Sequence, residues 1–144
     1  MKSITLLTTL AVALLFTSCD AIRQATNTTG GAIFSLNGTW KLTSNTPENT
    51  MINSTVFVAP LVSQGTITAL ANNTQCYRVN DVKWKNIKAD KTGGYTIDNA
   101  TNTCTSSSMS YAPATITVLT NTEIRVNGKN AAGADNVETW TRVK

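Results

Sequence analysis

Leu36-Asn37-Gly38-Thr39-Trp40-Lys41-Leu42-Thr43 is the stretch that decides the fold. Trp40 and Leu42 fall on one face, and Thr39, Lys41 and Thr43 on the other. That is the period of two expected of a half-buried strand. The same alternation recurs down the chain. Val82 and Trp84 alternate with Lys83 and Lys85, which places both lysines outward. Tyr95 and Ile97 alternate with Thr96 and Asp98, Ile116 and Val118 with Thr115 and Thr117, and Ile124 and Val126 with Glu123 and Arg125. Turn signals separate these runs: Asn45-Thr46-Pro47, Gln64-Gly65, Ala71-Asn72-Asn73, Thr92-Gly93-Gly94, Thr120-Asn121 and Ala131-Ala132-Gly133. The abundance of Thr and Asn favours strands and turns over helices. Short strands at even spacing predict an all-β meander that closes into a barrel or a sandwich.

The final strand, residues 137–143, has two possible phases. One face carries Val137, Thr139, Thr141 and Val143, and the other Glu138, Trp140 and Arg142. If the valines point inward, Arg142 faces solvent.

The N-terminus has a different character. Lys2 is followed by an apolar run, Ile4 to Phe16, which ends in Leu15-Phe16-Thr17-Ser18-Cys19. This charged, apolar, small-residue order is that of a secretion signal. A membrane-spanning helix needs about 20 apolar residues, and this run is shorter. The end of the run resembles the lipobox of bacterial lipoproteins, with Phe16 where that box usually carries Leu, Val or Ile. The resemblance implies removal of residues 1–18 and lipid attachment to Cys19. Residues 19–35, which include Thr28-Thr29-Gly30-Gly31, read as a polar tether with a reach of about 50 Å at roughly 3.3 Å per residue. Residues 36–144 form the folded domain.

Composition removes several classes of function. The net charge of +4, from 12 basic and 8 acidic residues, is too mild for a nucleic-acid binder. The basic residues Arg78, Lys83, Lys85, Lys88 and Lys91 are interrupted by Asp81 and Asp90 and read as a solvated strand face. The chain has no histidine, which removes the commonest general base and transition-metal ligand. With Cys19 acylated, Cys76 and Cys104 remain as an even pair in an oxidising compartment, and a disulfide is the expected pairing. It would contribute about 3 to 4 kcal/mol in the chain-entropy model. A zinc site built on these two thiolates would lack its other ligands.

Gly38-Thr39-Trp40 opens the domain, and Glu138-Thr139-Trp140-Thr141-Arg142-Val143-Lys144 closes it. Between them, Cys76 and Cys104 bracket the Trp84 strand and Gly93-Gly94-Tyr95. Taken together, residues 36–144 resemble the lipocalin-like domains of small secreted bacterial lipoproteins of the Bacteroidetes type. The resemblance implies an eight-stranded antiparallel up-and-down β-barrel. It also implies that Trp40 plugs one barrel end, that Arg142 lies across its ring, and that Gly38 lets the backbone bend there. Guanidinium over indole contributes about 0.5 to 2 kcal/mol. META-type outer-membrane domains share the Gly-Thr-Trp opening, and the first strand alone does not separate the two families.

Catalytic constellations are missing from the sequence. Ser106-Ser107-Ser108 has no histidine to serve it, and no Ser-x-x-Lys spacing on a helix occurs. Asp81, Asp90, Asp98, Glu123, Asp135 and Glu138 mostly read as outward or turn residues, so no paired carboxylates emerge. No cofactor is expected, and the chain reads as a non-enzyme. The resulting expectation is an exported, membrane-anchored lipoprotein of the cell envelope, in the outer rather than the inner membrane. Its barrel would be a non-catalytic binding module for a small apolar ligand, with an interior free of ionisable groups. The alternative is a structural or protein- or glycan-interaction lipoprotein with a filled barrel. Barrels of this size do either. Trp84, Tyr95 and Ile116 would fill the interior, whereas Ala69, Ala114 and Thr139 would leave room.

Overall fold

The alternating segments pair in chain order and close on themselves. The computed structural model describes residues 28–29 and 32–143. A two-residue ladder pairs β1 (Thr28–Thr29) with β2 (Ala32–Ile33). Eight further strands follow: β3 (Gly38–Thr46), β4 (Thr55–Val58), β5 (Gly65–Ala69), β6 (Val82–Ala89), β7 (Tyr95–Thr101), β8 (Ser110–Thr120), β9 (Glu123–Lys129) and β10 (Asp135–Val143). Each pairs antiparallel with the next, and β10 returns to pair with β3. The protein is therefore a closed, eight-stranded, antiparallel up-and-down β-barrel, with no helix among the described residues. Closure leaves no open edge of unpaired backbone groups.

The connections define two poles. At the first lie residues 34–37, the β4–β5 loop, the β6–β7 and β8–β9 turns, and the end of β10. At the second lie residues 47–54, 70–81, 102–109 and 130–134. The core runs between the poles and includes Trp40, Trp84, Trp140, Ile67, Ile124 and Val56, all with 0 % exposure.

Bulges shift the strand phase in places that simple alternation does not anticipate. Thr66 pairs with Val82 and Gly65 with Trp84, which leaves Lys83 as the extra residue of a bulge. Lys83 is thereby turned inward and buried rather than sent out beside Lys85. Asn86, at φ 54°, marks a second irregularity that returns Ile87 to the interior. On β10 the inward face is Asn136, Glu138 and Trp140, so the valine phase is not adopted. Glu138 is accordingly an interior residue, not an outward one. The expectation of an interior free of ionisable groups fails for the same reason: Lys83 and Glu138 enter together and neutralise each other.

The folded domain also begins earlier than residue 36. Phe34, read as part of the tether, is buried against Trp40 and Tyr95 at ring-centroid distances of 6.2 and 6.3 Å. The signal segment 1–18 and Cys19 lie outside the described residues.

Candidate functional site

At the first pole, Trp40 and Arg142 meet across the seam between β3 and β10, where they are register partners. The Arg142 guanidinium carbon lies 4.3 Å from the Trp40 ring centroid and 5.7 Å from that of Phe34. Its Nη1 and Nη2 donate to the carbonyls of Asn37 and Ser35, and its Nε donates to Asn121 O at 3.2 Å. One side chain thus ties together the incoming chain, the β8–β9 turn and the plug. Burial lowers the Arg142 pKa from its ordinary value, with Tyr95 acting in the opposite direction. Trp40 Nε1 donates to Leu36 O at 2.7 Å, which satisfies the indole while its ring closes the barrel. Gly38, at φ 120°, adopts backbone that other residues rarely take, and a Cβ there would lie 2.9 Å from Arg142 Nη1. These contacts hold the barrel end together and present no reacting group.

The barrel interior is occupied by side chains. Trp84 and Trp140 meet edge to face at 5.0 Å. Gly65 makes room for Trp84, since a Cβ there would lie 2.8 Å from the indole. A cavity of about 20 Å³ remains at the first pole, lined by Leu36, Val58, Ile87 and Tyr95 among others. That volume holds about one water, whereas pockets for drug-sized ligands run to about 300–1,000 Å³. Of the residues named above as deciding interior bulk, Trp84, Tyr95, Ile116 and Ala114 are buried inside. Ala69 is exposed and Thr139 half-buried on the outer face.

Toward the second pole the interior becomes polar. Lys83 Nζ lies 2.9 Å from Glu138 Oε1 and donates to Ala100 O at 3.2 Å. Glu138 also accepts from Trp140 Nε1 at 3.0 Å and from Asn99 Nδ2 at 3.4 Å. Tyr77, from the β5–β6 loop, covers this group. Its ring centroid is 5.4 Å from Lys83 Nζ, and its hydroxyl donates to Ala100 O at 2.8 Å. Burial opposes the charge of Lys83, but Glu138 and Tyr77 outweigh it and its pKa is raised. Burial also raises the Tyr77 pKa.

Outside that cover is a cleft of about 380 Å³ lined by Cys76, Arg78, Asp81, Asn102, Cys104 and the Ser106–Ser108 run. Its two walls are the β5–β6 and β7–β8 loops, joined by the Cys76–Cys104 disulfide. Arg78 is exposed, and its backbone N–H donates to Asp81 Oδ2 at 2.7 Å. Asn102 is buried at the cleft floor and donates to Gln75 O at 3.1 Å. Its Oδ1 has no hydrogen-bond partner among the described residues. An unpaired buried amide oxygen costs free energy unless a ligand or solvent donor meets it. The cleft therefore offers a cation, a carboxylate and three hydroxyls within one concave surface.

Sequence reasoning singled out the disulfide pair and the serine run but did not join them to Arg78, Asp81 and Asn102. Only the position of these residues in the loops that flank the two cysteines could have pointed to that grouping. No cluster of His, Cys, Asp and Glu suited to a metal occurs among the described residues. Comparison with protein-family models, curated proteins and solved structures finds no match for this chain.

Proposed function

We propose that the protein is an exported, non-catalytic recognition lipoprotein of the bacterial cell envelope. It is anchored through lipid on Cys19, in the outer rather than the inner membrane, and carries a lipocalin-like barrel. The signal-like segment ending at Cys19 supports the anchor, and the next-neighbour strand order supports the likeness to lipocalins. Of the two kinds of ligand read from the sequence, an apolar molecule inside the barrel and a protein or glycan on its rim, the second is the better supported. The observation that carries this choice is the filled interior: Trp40, Trp84 and Trp140 are each 0 % exposed. The polar cleft beside the disulfide is then the recognition surface, suited to a hydroxyl- or amide-rich segment of glycan or protein.

The test has two arms. Fatty acids and hydrophobic dyes should leave tryptophan fluorescence and the melting temperature unchanged. Arrays of envelope glycans and peptides should retain the wild type and lose Arg78→Ala and Asp81→Asn. A fatty acid that shifts both signals returns the function to the barrel interior.

A further inference from the structure

Among the described residues six large apolar side chains are notably exposed, and they are not scattered. Leu61 and Val62 are 77 % and 43 % exposed in the β4–β5 loop, Leu119 is 37 % exposed at the end of β8, and Val143 is 39 % exposed at the end of β10. All four belong to the first pole. Phe57, 40 % exposed, is on the outer wall of β4 beside Thr39 and next to that pole. Val79 alone belongs to the second pole. Leu61 is held outward at φ 63°, in a loop whose chain reverses at Ala59-Pro60, with Val62 N donating to Ala59 O. Clustered exposed apolar groups mark an interaction site more often than single ones do.

The incoming chain indicates what covers them. Phe34 and Ser35 are fixed at this same pole by Trp40 and Arg142, so the chain enters the barrel at the pole that carries these side chains. That segment is short, about 50 Å at full extension. The pairing of Thr28–Thr29 with Ala32–Ile33 folds part of its length back. A barrel tethered this closely meets its membrane at high effective concentration, so weak apolar contacts suffice to orient it.

We propose that the first pole is a membrane-docking face: Leu61, Val62, Leu119 and Val143 rest against the bilayer that holds Cys19, and the cleft at the second pole points away from it. This rests on the anchor reading, and the experiment separates the two. The full chain is prepared from cells fed labelled palmitate and reconstituted in vesicles containing brominated phosphatidylcholine, which quenches tryptophan on contact. Leu61→Trp, Leu119→Trp and Val79→Trp are compared, with the unsubstituted chain giving the background of the three native tryptophans. The expected result is at least twofold stronger quenching of the added fluorescence at positions 61 and 119 than at 79. Palmitate-bearing chains quenched equally at all three positions overturn the docking face and leave the anchor standing. Equal quenching with chains crosslinked in pairs assigns the face to a second copy and overturns it as well. Chains without palmitate overturn the anchor, and the docking with it.

Discussion

Lys83 Nζ on β6 lies 2.9 Å from Glu138 Oε1 on β10, and the two side chains are 3 % and 4 % exposed. The pair joins opposite parts of the closed sheet through the interior. Desolvating two charges costs several kcal/mol per ion, recovered only when geometry and secondary hydrogen bonds are good. Here Ala100 O, Asn99 and Trp140 complete the network. Removing one partner alone, by Lys83→Met, should cost about 3 to 5 kcal/mol, because Glu138 stays buried with its charge unpaired. The double change Lys83→Met/Glu138→Gln should recover most of that loss. Urea unfolding of the four members of the cycle measures the coupling.

Alkali should act on the same pair. The folded-state pKa of Lys83 is raised above 10.5 because Glu138 and Tyr77 together outweigh burial. Its stabilisation is therefore fully present below the ordinary lysine value and is lost as pH rises through the higher folded value. Tyr77, also raised by burial, loses stabilisation in the same direction. Melting temperature should fall on passing above roughly pH 10.4 in the wild type. The fall should be shallower in Tyr77→Phe and shallowest in Tyr77→Phe combined with Lys83→Met/Glu138→Gln.

At the opposite pole, Arg142→Ala should destabilise by about 1 to 3 kcal/mol, through loss of the indole contact and charge-assisted bonds to backbone carbonyls. Arg142→Lys should recover only part of this, since a lysine cannot reach Ser35, Asn37 and Asn121 with one planar fork. Gly38→Ala should destabilise as well, because the backbone there sits at φ 120° and the new methyl meets Nη1. Thermal melts of the three variants test the order.

The Cys76–Cys104 bridge closes a loop of sequence separation 28 across the polar cleft at the second pole. Replacing both cysteines by serine should cost about 2 to 5 kcal/mol. Strand content by circular dichroism should survive, because the barrel ladders do not include either residue. Ligand retention on the arrays should weaken more than stability alone accounts for, since the two cleft walls are no longer joined.

Much of the barrel was legible from alternation, because strands such as β9 carry one unbroken phase of apolar residues. β4 was harder to read: Val56-Phe57-Val58 is apolar throughout, and only packing tells that Phe57 points out while its neighbours point in. The buried ion pair was not legible at all. A lysine beside a tryptophan reads as the solvent face unless a bulge reverses it, and the bulge is set by pairing with Gly65 on another strand. The cleft escaped for a related reason, since its residues come from two loops brought together by a covalent bond and not by any local pattern.

The seam between β3 and β10 has a consequence for how the chain is made. Arg142 and Asn37, which meet there, are separated by 105 residues, so the first barrel strand waits for the last. Until β10 has emerged, β3 and β9 each present an unpaired edge, and the cylinder stays open. A chain that emerges residue by residue is thereby kept from closing until β10 is available. A product truncated before Asp135 would be left with two exposed edges and a strong tendency to aggregate.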